Sequence, residues 1–66
     1  MELLVNGEKR EIPSGLTVAG LLDFLAVPSE RVAVEVNHAV VRRVDHDSHV
    51  LAEGDEVEVV AFVGGG

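Results

Sequence analysis

The spacing of apolar residues changes along the chain and divides it into elements. Glu2 to Asn6 is apolar and β-branched enough for a strand. Asn6-Gly7 is a hairpin signal, because a two-residue turn needs the left-handed backbone that these residues tolerate. Lys9 to Ile12 returns as a second strand, and Pro13, which cannot donate to a ladder, ends it. Val18, Leu21, Leu22 and Leu25 then fall at i, i+3, i+4 and i+7, one stripe of a helix. Thr17 is placed as its N-cap and Leu16 can staple onto Leu21. Gly20 inside this helix costs about 1 kcal/mol relative to alanine and points to a close approach. Pro28-Ser29 closes the helical region. Val32, Val34 and Val36 alternate with Ala33, Glu35 and Asn37, a half-buried strand. Asn37-His38 turns the chain into a short strand, Val40 to Arg42. Val44 to Glu53 is irregular or holds one short helical turn. Gly54-Asp55 leads into the last strand, Val57 to Val63.

The order β-β-α-β-β-β predicts an α+β fold in which one helix covers one face of a mixed sheet of four to five strands. This is the β-grasp, or ubiquitin-like, arrangement, with the first and last strands adjacent and parallel at the sheet centre. Residues 1–63 form the expected domain and residues 64–66 a flexible glycine tail. Leu21, Leu22, Leu25, Val34, Val57 and Val59 are the expected core. In the last strand Val57, Val59 and Ala61 share the face toward the helix, while Glu56, Glu58, Val60 and Phe62 share the other. Val60 and Phe62, joined by Leu4 from the neighbouring strand, are the expected partner-docking patch. The plainer reading is scattered surface apolars. The chain has only two phenylalanines and no other aromatic residue. One of them beside the tail favours docking.

Gly64, Gly65 and Gly66 come directly after the last strand. Glycine has no Cβ, so its backbone can lie extended in a slot too narrow for other residues. Ordering a glycine tail costs entropy and adds nothing to a core. Such a tail is useful where a carboxylate must be delivered, and Val63 to Gly66 span about 13 Å when extended. A carboxylate is a poor electrophile until ATP converts it to an acyl-adenylate, from which a sulfur or nitrogen nucleophile displaces AMP. The chain has neither G-x-G-x-x-G nor G-x-x-x-x-G-K-[ST]. Activation is therefore expected from a second protein. No nucleophile–base pair is visible, so the chain reads as a carrier or modifier and not as an enzyme.

Four stretches carry a family resemblance: Leu4-Val5-Asn6-Gly7-Glu8, Val32 to Asn37, Gly54 to Val60, and Phe62-Val63-Gly64-Gly65-Gly66. Together they resemble the ThiS family, the sulfur carriers of thiamine biosynthesis, over essentially the whole chain. The resemblance implies a β-grasp fold. It implies adenylation of Gly66 by an E1-like adenylyltransferase that uses ATP, with Gly65 completing the Gly-Gly pair. A thiocarboxylate formed with a sulfur-donor protein then passes sulfur to thiazole synthase. No cofactor is implied for the chain itself. Asn37-His38 stands where the family usually has Asn-Gly, a departure confined to a turn. A molybdopterin-type sulfur carrier shares fold and tail, but that family tends to be longer and to carry prolines where this chain has Phe62-Val63. A ubiquitin-like modifier conjugated through Gly66 is a further alternative, with Lys9 the sole lysine for self-attachment. A β-grasp binding module with an inert tail is the last.

Charge and composition narrow the partners. The net charge of −7 and a pI near 4.6 argue against nucleic acid, whose phosphates would be repelled. No apolar run approaches the length of a membrane span, no basic leader precedes the first strand, and cysteine is absent, so cytoplasm is the expected compartment. Asp45, His46, Asp47 and His49 could hold a divalent metal but read as a solvent-facing polar loop, with no metal expected. His38 reads as a turn residue and Arg42-Arg43 as charges on an edge strand. Glu53, Asp55, Glu56 and Glu58 read as a solvated acidic face able to steer the tail toward a basic mouth.

Overall fold

The computed structural model describes residues 1–62. Strands β1 (Glu2–Val5), β2 (Glu8–Glu11), β3 (Val32–Val36), β4 (Ala39–Val41) and β5 (Glu56–Ala61) form one sheet in the order β2-β1-β5-β3-β4. β1 and β5 are parallel and every other neighbouring pair is antiparallel. The helix α1 (Val18–Phe24) covers one face. This is the β-grasp arrangement expected from the element order. Each expected element is present; strand ends move by a residue or two, while the helix, expected to close at Pro28-Ser29, already stops at Phe24. Val63, the expected end of the last strand, lies outside the described residues, as does the tail 64–66.

Asn6-Gly7 and Asn37-His38 both adopt left-handed conformations, with φ of 51° and 83° in the first turn and 52° and 69° in the second. Those are the backbone angles of tight hairpins. One short 3-10 turn, Arg43–Asp45, leads into the segment Val44 to Glu53, and a second such turn occupies Ser29–Arg31.

A helix of seven residues is marginal on its own and must be held by its surroundings. Its first three N–H groups, which have no partner within the helix, are all satisfied. The Val18 N–H donates to His49 O at 3.0 Å and the Ala19 N–H to His46 O at 2.9 Å. The Gly20 N–H donates to Thr17 Oγ1 at 3.1 Å, so Thr17 is the N-cap expected. The irregular segment therefore closes over the helix start and supplies its capping carbonyls. At the other end Ala26 and Val27 donate to Asp23 O and Leu22 O, a Schellman motif whose left-handed position is Ala26, with φ of 59°. A Cβ on Gly20 would meet the Leu16 side chain at 3.2 Å, so the close approach at this glycine is to a flexible side chain.

The core lies between α1 and the inner sheet face. Val18, Leu21 and Leu22 belong to one buried cluster with Leu3, Val5, Ile12, Val34, Leu51 and Val57. Leu25 and Val59, expected in the core, are only half-buried at its edge. The cause is that α1 ends at Phe24, so Leu25 caps the helix and Val59 lies beside that end.

The loop reading of His46 needs correction. His46 is 5% exposed, with its Nε2 3.2 Å from the Val41 carbonyl, so its ring belongs to the packed interior. The backbone bond from Ala19 to His46 pulls this residue under the helix start. Arg43 also differs from the expected edge charge, since its Nη2 donates to Glu30 O at 2.8 Å.

Two substitutions test this account of the fold. Leu21→Ala is expected to lower the unfolding free energy by ~2–5 kcal/mol. Ala26→Gly relieves a left-handed alanine and is expected to raise it by about 1 kcal/mol. Urea titration of both variants checks the opposite signs.

Candidate functional site: the exit of the central strand

β5 is the last strand before the glycines in the sequence, so what holds β5 fixes the point at which the described chain ends. On one side β3 pairs with it from Val36↔Val57 to Val32↔Ala61, and the Phe62 N–H donates to Arg31 O at 2.8 Å. On the other side β1 pairs only at Leu4↔Glu56 and Val5↔Val57 before the hairpin turns it away. The Asn6 side chain continues the ladder from there. Its Oδ1 accepts from the Val59 N–H at 2.8 Å and its Nδ2 donates to Val59 O at 3.3 Å. One amide thus replaces a peptide unit. Asn37 does similar work at the start of β5: its Oδ1 accepts from the Glu56 N–H at 3.0 Å and its Nδ2 donates to Asp55 Oδ1 at 3.0 Å.

The acidic residues near this strand divide into two groups. The Glu53 carboxylate accepts from the Glu2 N–H, and Asp55 Oδ2 from the Ala52 N–H at 2.8 Å. Those two fasten the turn before β5. Glu56 and Glu58 face outward on the open side of the sheet, as expected. Glu35 stands directly across from Glu58 in the β3–β5 register, and like charges in that position repel. His38 Nε2 lies 3.3 Å from Glu56 Oε1, a contact between exposed side chains.

Val60 and Phe62 are 57% and 56% exposed, beyond the glutamates on the same open face. Leu4 does not join them. It is half-buried and stands opposite Glu56, four residues before Val60, about 13 Å away at the ordinary rise of a strand. Glu56 and Glu58 intervene, because the β1–β5 pairing is two residues long and lies at the start of β5. The cross-strand neighbour of Val60 is Ala33. The open face therefore runs from Leu4 through an acidic middle to an apolar end of Val60, Ala33 and Phe62. Gly64, Gly65 and Gly66 lie outside the described residues. No group of three His, Asp or Glu among the described residues is arranged to hold a metal, and no helix among them is long and apolar enough to cross a membrane.

Two features escaped the sequence reading. One is the pair of asparagine clamps, whose roles depend on residues far along the chain. The other is Phe24, 51% exposed, which lies on the helix side of the sheet in a groove shared with Ala61. Its place just outside the helical stripe was the available signal.

Asn6→Gly keeps the left-handed turn and removes only the amide. The expected result is a turn that still forms, faster hydrogen exchange at the Val59 amide, and a loss of roughly 1–3 kcal/mol of local protection. Unchanged exchange at Val59 would show that the clamp does not hold β5.

Comparison with known proteins agrees with this geometry. The chain is 47% and 42% identical over 66 residues to thiazole synthases of Magnetococcus marinus and Paramagnetospirillum magneticum, and spans 20% of the length of each. It is 27% identical to the sulfur carrier protein ThiS of Escherichia coli, with both chains covered in full. The crystal structure of the thiamine biosynthesis protein ThiS from Geobacter metallireducens superposes with a TM-score of 0.87 at 39% identity, covering 100% of both chains. The family model described as the ThiS family matches residues 3–66, and the chain belongs to that family.

Proposed function

We propose that this chain is a sulfur carrier for formation of the thiamine thiazole, acting through the Gly66 carboxylate. The observation that carries the reading is the juxtaposition at the end of β5. A strand held on both sides near its start presents an exposed apolar end, two residues before the glycines in the sequence. Family membership supports the sulfur-carrier role, as does the name of the Escherichia coli relative.

The chemistry proceeds from the carboxylate. Its oxygen attacks the α-phosphorus of ATP in the site of an E1-like adenylyltransferase, and pyrophosphate leaves. A sulfur nucleophile from a sulfur-donor protein then attacks the acyl carbon and AMP leaves. That nucleophile is a persulfide, so a thiol reductant then cleaves the S–S bond of the resulting acyl disulfide and frees the Gly66 thiocarboxylate, which donates its sulfur to thiazole synthase. ATP is held by the activating partner, so the chain is a carrier and not the catalyst. Two thiazole synthases contain a stretch similar to the whole chain, which supports thiazole synthase as the acceptor. A reaction supplied by ATP and a sulfur donor suits the cytoplasm.

Docking falls to Val60 and Phe62. Anchoring the domain makes delivery of the carboxylate intramolecular, which raises its effective concentration. Glu56 and Glu58 act on the rate of encounter with a basic surface, and that contribution falls with salt. Leu4 stands at the far end of the face, across the acidic middle from Val60 and Phe62, and is left out of the docking patch.

Deletion of Gly66 is expected to abolish adenylate formation and leave the melting temperature unchanged. A large drop in melting temperature would contradict the carrier reading, because the tail would then belong to the core. Phe62→Ala is expected to weaken binding to the E1-like enzyme by ~1–3 kcal/mol in titration calorimetry, with folding intact. Binding as tight as the parent would remove Phe62 from the docking surface.

A further inference from the structure

The backbone of β5 has one unfilled place. The N–H and C=O groups of Glu56, Glu58, Val60 and Phe62 point toward β3 and its flanks, as the Asn37–Glu56 and Phe62–Arg31 bonds show. The alternate residues point the other way: Leu4 and Asn6 donate to Asp55 O and Val57 O, and the Asn6 amide takes both groups of Val59. Ala61 is next in that series. Its N–H and C=O face the side that β1 left at the Asn6-Gly7 turn, and they have no partner among the described residues. Beside Ala61, on the helix face of the sheet, lies a groove of about 390 Å³. Phe24, Leu25, Val27 and Val59 supply apolar walls, and Arg10 is the one charged residue lining it. Arg10 is in no ion pair among the described residues.

We propose that this groove is a strand-addition site for an extended segment of a partner polypeptide. The segment pairs its backbone with Ala61, seats an apolar side chain against Phe24, and places a carboxylate two residues away toward Arg10. Each element of that occupant answers a feature of the site. A pair of unpaired backbone groups on a strand is satisfied in both directions by another extended backbone. Residues i and i+2 of a strand share one face, so a single segment can address both the apolar wall and the arginine. The guanidinium matches a carboxylate in charge and in fork geometry. In a chain of net charge −7 this is a local exception, so one carboxylate fits and an acidic run does not. The site lies on the opposite face of β5 from Val60 and Phe62, and it does not rest on the chemistry assigned to Gly66.

The test is a 15N NMR titration of the full chain with capped pentapeptides, acetyl-Thr-Val-Thr-Glu-Thr-amide and the reversed order acetyl-Thr-Glu-Thr-Val-Thr-amide. One order is expected to give saturable shifts at the Ala61 and Val27 amides and at the Arg10 side chain, with Kd of about 1 mM. Phe24→Ala should weaken that binding about fivefold, the effect of a small anchor. Arg10→Gln should abolish the preference for glutamate over glutamine in the peptide. Both positions are exposed, and the same spectra report whether each variant is folded. The proposal is overturned if neither peptide gives saturable shifts by about 10 mM. Shifts confined to the Val60 and Phe62 face, or equal binding by a backbone N-methylated peptide, overturn it as well. Adenylation of Gly66 is assayed separately, so failure here and failure of the carrier reading are distinct results.

Discussion

The rest of the structure depends on how β5 is held. It is the central strand of the sheet, and its inner face carries Val57 into the core. Its neighbours hold it unequally. β3 accompanies it along its length, but β1 departs after two paired positions. The Asn6 amide extends the grip by one residue, and there the support on that side ends. The proposed docking residues lie beyond this limit, Val60 and Phe62 on one face and Ala61 on the other, while Glu56 and Glu58 lie before it. A strand fixed at its base and open at its end is consistent with the carrier role proposed for Gly66.

The helix shows the same division between local and distant causes. Its stripe of Val18, Leu21 and Leu22 and its Thr17 cap are local signals, and all were legible in the sequence. Its length was not, because the Schellman motif at Ala26 uses a residue without the usual glycine signature. The bonds from Val18 and Ala19 to His49 and His46 come from a segment about thirty residues on, with no periodicity to announce them. That is why His46 read as a solvent-facing residue in a polar string yet is buried. Asn6 and Asn37 were legible as turn residues through their left-handed tendency. Their side-chain roles depend on which strand lies alongside, and that is a property of the topology.

The open face shows what alternation can and cannot reveal. Parity along β5 places Glu56, Glu58, Val60 and Phe62 together from sequence alone. Register across strands requires knowing where each pairing begins. The misplacement of Leu4 beside Val60 arose there, since β1 meets β5 at Glu56 and not near its end. The same register sets Glu35 against Glu58. A repulsive pair in the middle of a sheet face opposes stability, and its relief by a basic surface would favour complex formation over the free state.

The central claim is that the chain carries sulfur on Gly66, and mass spectrometry of the tail fragment tests it most directly. The protein is taken from cells that make thiamine and cleaved, and the peptide containing Gly64 to Gly66 is sequenced by fragmentation. That localises any change and separates it from oxidation at Met1. The account predicts a fraction of the fragments in which one oxygen of the Gly66 carboxyl group is exchanged for sulfur. An unmodified carboxylate throughout, under conditions where thiazole is being formed, would contradict it. So would an isopeptide linking Gly66 to a lysine.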